Sequence, residues 1–301
     1  MIKDKSLLVI GGTGFFGKSI LDSFKRGLLN QFNIAKIIIL ARNTEKFIKE
    51  YTELYFKGVD FINGDISKIS SLPESDYVIH AATSTNMNDY NQISNNVGKN
   101  NIEKSVSNYC VLAPKFHSNS KILYCSSGAV YGKQPLNLEK IDENFPLQKD
   151  LSNLSNEKQN YCLGKRFAEI EIKKLGSLGL NVSIARCFAF SGKYLPKDQH
   201  YAFGNFLNSA ENGDKIVVES PGITYRSYME ADELVLSLLK VLLISNPSSP
   251  IVNIGSDLQI SLYDLAKNIA LDYGVDYEFV NYNDKIIIDR YVPNTEKLKK
   301  L

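Results

Sequence analysis

Three groups of residues in this chain are of types and spacings that do chemistry together. Tyr161 and Lys165 stand four apart in a stretch of helical character, so the phenol and the ammonium project from one face into the same space. A phenol with its ordinary pKa of about 10 is a poor base at neutral pH, and a fixed positive charge beside it favours the phenolate. Ser126 and Ser127 follow an apolar run at residues 121–125 that reads as a strand. A hydroxyl at the carboxyl end of a parallel strand faces the ligand crevice of an open α/β sheet. The third group is LLVIGGTGFFG at residues 7–17, in which four apolar residues lead into Gly11, Gly14 and Gly17 and a helix starting near Phe15. Such a turn lets backbone N–H groups and the positive end of a helix approach a pyrophosphate. In their chain order, glycine turn, serine-bearing strand end, then Tyr161 and Lys165 on the next helix, the three groups describe an acid–base site beside a dinucleotide.

The elements that must position them follow in the chain. Residues 18–29 read as an amphipathic helix with Ile20, Leu21 and Phe24 on one face. Residues 36–42 are nearly all apolar, as in a central parallel strand covered on both faces. An acid at the end of that strand would accept hydrogen bonds from the adenosine ribose, whereas this chain has Ala41-Arg42-Asn43, which favours NADP(H) and leaves NAD open. A third strand at 59–63 leads to Gly64-Asp65-Ile66, where Asp65 either contacts the adenine or caps a helix. A fourth strand runs from 76 into Ala81 and Ala82, whose size permits close backbone approach, with His80 packed at its end. Residues 86–118 hold a long helix with Ile102, Val106, Tyr109 and Leu112 at helical spacing. The helix of Tyr161 begins near Asn160, and a sixth strand at 181–188 closes the sheet. Beyond it come a helix at 200–213, a short strand at 215–220, a helix at 233–243, a strand at 251–255 and a helix at 260–272.

The expected fold is therefore α/β, a Rossmann-type doubly wound parallel sheet with a smaller mixed C-terminal region. Residues 1–188 form the dinucleotide-binding domain carrying the catalytic residues, and 189–301 mainly bind substrate. A chain of 301 residues suffices for both. Its net charge of +2 argues for neither nucleic acid nor a membrane surface as partner. The N-terminal MIKDKSLLVI runs straight into the first strand with no room for a signal peptide, and no apolar stretch approaches membrane-spanning length, so a cytoplasmic protein is expected. Cys110, Cys125, Cys162 and Cys187 lack paired spacing, and His80, His117 and His200 are unclustered. Free thiols and no metal site are expected.

Gly11-Gly-Thr-Gly-Phe-Phe-Gly17, Gly64-Asp65-Ile66, His80-Ala-Ala82, Ser126-Ser-Gly-Ala-Val-Tyr-Gly132, Tyr161-x-x-x-Lys165, Arg226 before Asp232, and Asn253-Ile-Gly255 together resemble one family. It is the extended short-chain dehydrogenase/reductases, in their NAD(P)-dependent nucleotide-sugar epimerase/dehydratase group, and the resemblance covers nearly the whole chain. It implies that Tyr161 is the acid/base on a sugar hydroxyl or ketone, that Lys165 binds the nicotinamide ribose and lowers the Tyr161 pKa, and that Ser127 hydrogen-bonds the same sugar oxygen. It implies cofactor contacts at Gly11, Gly14, Phe15, Phe16, Gly17, Arg42, Asp65, Ile66, Ala81 and Ala82, besides Tyr161 and Lys165. The nucleotide-diphosphate sugar would meet Ser127, Asn205, Arg226 and Arg290, the arginines clamping the diphosphate. A homodimer built from the helix in 86–118 and the Tyr161 helix is implied as well, in capsule or lipopolysaccharide sugar synthesis.

The departures bear on the reaction. Dehydratases of this group carry an acidic pair directly after the active-site hydroxyl, where this chain has Gly128-Ala129. Many epimerases have an asparagine where this chain has Ala189, and relatives generally continue beyond Leu301, so a clipped tail is an expectation. An NAD(P)-dependent epimerase acting at a ring carbon, C4, leads. An NADPH-dependent reductase of a 4-keto-6-deoxysugar follows, and a 4,6-dehydratase or a non-catalytic dinucleotide-sensing protein comes last.

Overall fold

The computed structural model describes residues 4–84, 86–90, 96–197, 201–280 and 283–301. In chain order, the first part is β1 (Lys5–Ile10), α1 (Phe15–Lys25), β2 (Ile34–Ala41), α2 (Thr44–Glu50), β3 (Val59–Asn63), β4 (Tyr77–His80), α3 (Val97–Phe116), β5 (Lys121–Ser127), α4 (Asn156–Ser177) and β6 (Asn181–Cys187). These strands and the strand Ile251–Ile254 make a seven-stranded parallel sheet, in the order Ile251–Ile254, β6, β5, β4, β1, β2, β3.

Helices on both faces explain why β1 and β2 are apolar at every central position. Leu7, Val9, Ile37 and Ile39 point to one face, where Ile20 of α1 and Leu234 and Leu238 of the helix Ala231–Leu243 cover them. Leu8, Ile10, Ile38 and Leu40 point to the other, beneath α3 and α4, which contribute Val106, Tyr109, Ala168 and Ile172. Each such side chain, removed from water, contributes roughly 1.5–3 kcal/mol. The alternation of period two fixes the register that brings the strand ends level.

Several expectations need correction. Helix α1 ends at Lys25, four residues early, because Gly27 takes a left-handed φ of 80° and turns the chain. Strand β5 continues through Ser127, two residues past the expected end at 125, so both serines are ladder residues. Helix α4 begins at Asn156, where the Ser155 hydroxyl accepts a hydrogen bond from Lys158 N at 3.5 Å. β6 does not close the sheet: the strand Ile251–Ile254 pairs outside it. The chain therefore returns to the seven-stranded sheet after residue 188, so a boundary there does not separate that sheet from the rest of the chain.

In the C-terminal region the strand Gly222–Arg226 pairs in parallel with Asn283–Tyr291 and antiparallel with Ile260–Ser261. The helices Ala202–Glu211 and Leu262–Tyr273 pack beside it through Phe206, Leu265 and Ile269. The expected helix start at His200 lies outside the described residues. Among the described residues, no helix is long and apolar enough to cross a membrane.

Candidate functional site

The carboxyl ends of β1, β2, β4 and β5, the inner face of α4 and the paired C-terminal strands enclose one cavity of about 1090 Å³. Gly11, Gly14, Phe15, Phe16, Arg42, Asp65, Ile66, Ala81, Ala82, Ser127, Tyr161, Lys165, Arg226 and Arg290 all line it. Gly17 and Asn205 do not.

One of the two exceptions has a simple cause. A Cβ on Gly17 would stand 1.9 Å from the Gly12 carbonyl oxygen, so this glycine seats α1 against the turn. Asn205 is exposed and does not line the cavity, although Ala202, three residues before it on the same helix, does. The structure therefore does not bring Asn205 together with the other expected substrate residues.

The turn itself fits a dinucleotide. Gly11 has φ 82°, and a Cβ there would lie 2.5 Å from Ala82 Cα, so only glycine permits β1 and the end of β4 to meet this closely. Gly14 caps α1 without a side-chain bond, and no acidic residue occupies the first turn of the helix. The first N–H groups of α1 are thus available to a pyrophosphate. At the adenosine end, Asp65 Oδ1 accepts hydrogen bonds from Ser67 N at 2.9 Å and Ser67 Oγ at 2.8 Å. Burial pushes its carboxyl up, but these bonds, with the charges of Arg42 and Lys68, bring it below the usual carboxylate range. Asp65 is an ionised turn anchor facing Arg42.

At the reacting end, the Lys165 ammonium donates to Thr83 Oγ1 at 2.8 Å, the Cys125 carbonyl at 2.8 Å and the Tyr124 hydroxyl at 3.4 Å. Burial lowers its pKa to about 8, against the opposing pull of Cys125, Cys187 and Glu169. Tyr161 packs edge-on against Tyr90, with ring centroids 5.2 Å apart. Its phenol is pushed well above the ordinary value by burial and by Tyr90, and a hydrogen bond with Ser127 only partly offsets this. The expectation that Lys165 lowers the Tyr161 pKa is therefore not met in this structure. The ammonium stands 5.9 Å from the Tyr161 ring centroid and spends its hydrogen bonds on other partners, so desolvation decides.

At the far end, Arg226 Nη2 pairs with Asp289 at 2.7 Å. Arg290, only 5% exposed, lies 4.6 Å over the Tyr225 ring, donates to Gln259 and leaves its Nε without a partner. Parallel pairing sets Arg290 opposite Tyr225 and Tyr291 opposite Arg226, which brings both arginines to one wall.

Three contributors escaped the sequence reading. Thr83 and Tyr291 carry no local signal, since each acquires its role through a partner distant in sequence. Glu169 did have one, standing one further turn along the Tyr161–Lys165 stripe of α4.

The NAD dependent epimerase/dehydratase family matches residues 7–255. dTDP-D-glucose 4,6-dehydratase of Dictyostelium discoideum is 27% identical over 286 residues, 88% of this chain and 61% of that protein. The chain thus spans less than two thirds of that relative. UDP-glucuronic acid decarboxylase 3 of Arabidopsis thaliana is 25% identical over 98% of this chain and 80% of its own length. The crystal structure of UDP-glucose 4-epimerase from Thermotoga maritima with UDP-glucose superposes with a TM-score of 0.79 at 18% identity, covering 98% of this chain and 91% of that one.

Proposed function

Since the chain belongs to the NAD dependent epimerase/dehydratase family, of the extended short-chain dehydrogenase/reductase type, we propose that it is a nucleotide-sugar epimerase that inverts a ring carbon, C4, by transient oxidation. The observation that carries the reading is the convergence of Ser127, Tyr161 and Lys165 on one cavity with the glycine turn. NAD(P), when bound beside the glycine turn, would supply the hydride acceptor and donor. Ser127 and Tyr161 hold the C4 oxygen, and Tyr161 takes its proton on oxidation and gives it back on re-reduction. Lys165 orients the cofactor ribose, and Arg226 and Arg290 hold the diphosphate.

The surroundings of Gly128 favour epimerisation over elimination of water. A Cβ there would stand 2.7 Å from both the Phe188 ring and the Tyr291 hydroxyl, so a side chain directly after Ser127 would have to displace that pair. That supports chemistry confined to one C–O unit.

A second reading, an NADPH-dependent reductase of a 4-keto-6-deoxysugar, draws on Arg42. It lines the cavity just past the end of β2, in the place where an acid would select NAD. Incubation with UDP-glucose, UDP-galactose and dTDP-glucose, with mass analysis of the dinucleotide released on denaturation, separates the two. Interconversion of C4 epimers with retained cofactor is expected. Turnover of a 4-keto sugar with stoichiometric NADPH consumption would install the second reading, and a product lighter by one water would overturn both.

The same proposal includes a cytoplasmic homodimer serving polysaccharide biosynthesis. Val111 on α3 and Leu163 and Ile170 on α4 are 75%, 41% and 57% exposed, which supports pairing through these helices. A monomeric mass in solution would rule out the dimer.

A further inference from the structure

Behind the reacting groups lies a buried ionic network that the proposed chemistry does not use. Glu169 follows Lys165 by one turn of α4, on the stripe that carries Tyr161. Its Oε1 accepts from Ser126 Oγ at 2.6 Å and from Arg186 Nε at 3.0 Å, while Oε2 accepts from Arg186 Nη2 at 2.8 Å. Ser126 precedes Ser127 and stands opposite Arg186 in the β5–β6 ladder. Both members of the ion pair are 4% exposed at the side chain. The Arg186 guanidinium lies 4.6 Å over the Tyr131 ring, and the Tyr131 hydroxyl donates to Asn253 Oδ1 at 2.7 Å, which carries the tie to the outermost strand.

We propose that Glu169 is a positioning residue for the reaction: by joining α4 to Ser126 and Arg186, it sets the separation between Ser127 and the Tyr161–Lys165 pair and places the carboxylate counter-charge for Lys165. The proposal rests on the reading of those three residues as the reacting groups.

The geometry permits both functions. A rigid bidentate pair fixes the angle of the helix more tightly than apolar packing, which tolerates sliding. The groups facing Lys165 are Tyr161 and Glu169 on α4, Tyr124 and Cys125 on β5, Cys187 on β6, His80 on β4 and Thr83 beyond it. Glu169 is the carboxylate among them, and its charge favours the protonated lysine.

The test compares the wild type with Glu169→Gln, Glu169→Asp and Ser126→Ala, with NAD and whichever of UDP-glucose, UDP-galactose or dTDP-glucose the wild type turns over. Ser126→Ala removes one hydrogen bond and keeps the ion pair, so it tests positioning even where Glu169→Gln fails to fold. Expected are falls in kcat of about 10-fold for Ser126→Ala and Glu169→Gln, with KM within about 2-fold. Glu169→Gln also moves the alkaline limb of the pH–rate profile to lower pH, and Glu169→Asp restores the limb. Unchanged kcat in folded Ser126→Ala, or an unmoved limb in folded Glu169→Gln, overturns the proposal. A wild type inactive on all three sugars overturns the reading of the reacting groups instead, and the proposal with it.

Discussion

The Ser127 and Tyr291 hydroxyls stand 3.5 Å apart across 164 residues of chain. The contact arises because the strand Asn283–Tyr291 pairs with Gly222–Arg226 and ends over the last residue of β5. The Tyr291 ring rests on Phe188, with centroids 4.6 Å apart, and together they cover the place where a side chain at position 128 would project.

Gly128→Asp should therefore fail to create an acid-bearing site. The new Cβ forces the Phe188–Tyr291 pair apart, an overpacking cost of about 1–3 kcal/mol. The expected outcome is a lower thermal midpoint and lost turnover; a stable, active variant would show that the pair yields.

Tyr161→Phe keeps the ring against Tyr90 and removes only the hydroxyl. Turnover should fall by about 10²-fold or more, with cofactor affinity within about 2-fold by titration calorimetry. Wild-type turnover in this variant would sink the acid–base assignment.

The pH dependence has a defined sign. Burial holds Lys165 at about 8, so the ammonium is present below that value and lost above it. kcat/KM should decline above about pH 8 if the charge orients the cofactor ribose. A profile flat to pH 9.5 would contradict this.

Acid stability turns on Asp76, which accepts from Lys5 Nζ, Ser6 N and Ser6 Oγ at 2.9–3.0 Å and ties the start of β1 to the approach to β4. Burial pushes the carboxyl up, but these bonds outweigh it and hold the pKa at about 2, below the ordinary 3.8. A lowered carboxylate stabilises the fold above its unfolded pKa and loses that contribution as pH falls through the folded one. The shift corresponds to about 2 kcal/mol at neutral pH, lost between about pH 4 and pH 2. Asp76→Asn should lose most of it at pH 7 and flatten the acid limb in denaturant titrations at several pH values.

The sequence by itself determined the parts of this protein that local geometry governs. The apolar run of β1 and the glycines after it specify a tight strand-to-helix turn, since the positive φ of Gly11 and the close approach at Gly11 and Gly17 admit no other residue type. The spacing of Tyr161 and Lys165 specifies a shared face because the helical period does. Even Glu169 was legible on that stripe. The tertiary structure alone decided what depends on partners distant in the chain. It placed the strand Ile251–Ile254 beside β6 and brought Arg290 and Tyr291 to the wall opposite β5, because strand pairing obeys no local code. It left Asn205 exposed and off the cavity, although Ala202 three residues before it lines that cavity. It reversed the expected direction of the Tyr161 pKa, because desolvation is set by everything that surrounds the phenol, whereas four residues of spacing fix only one neighbour.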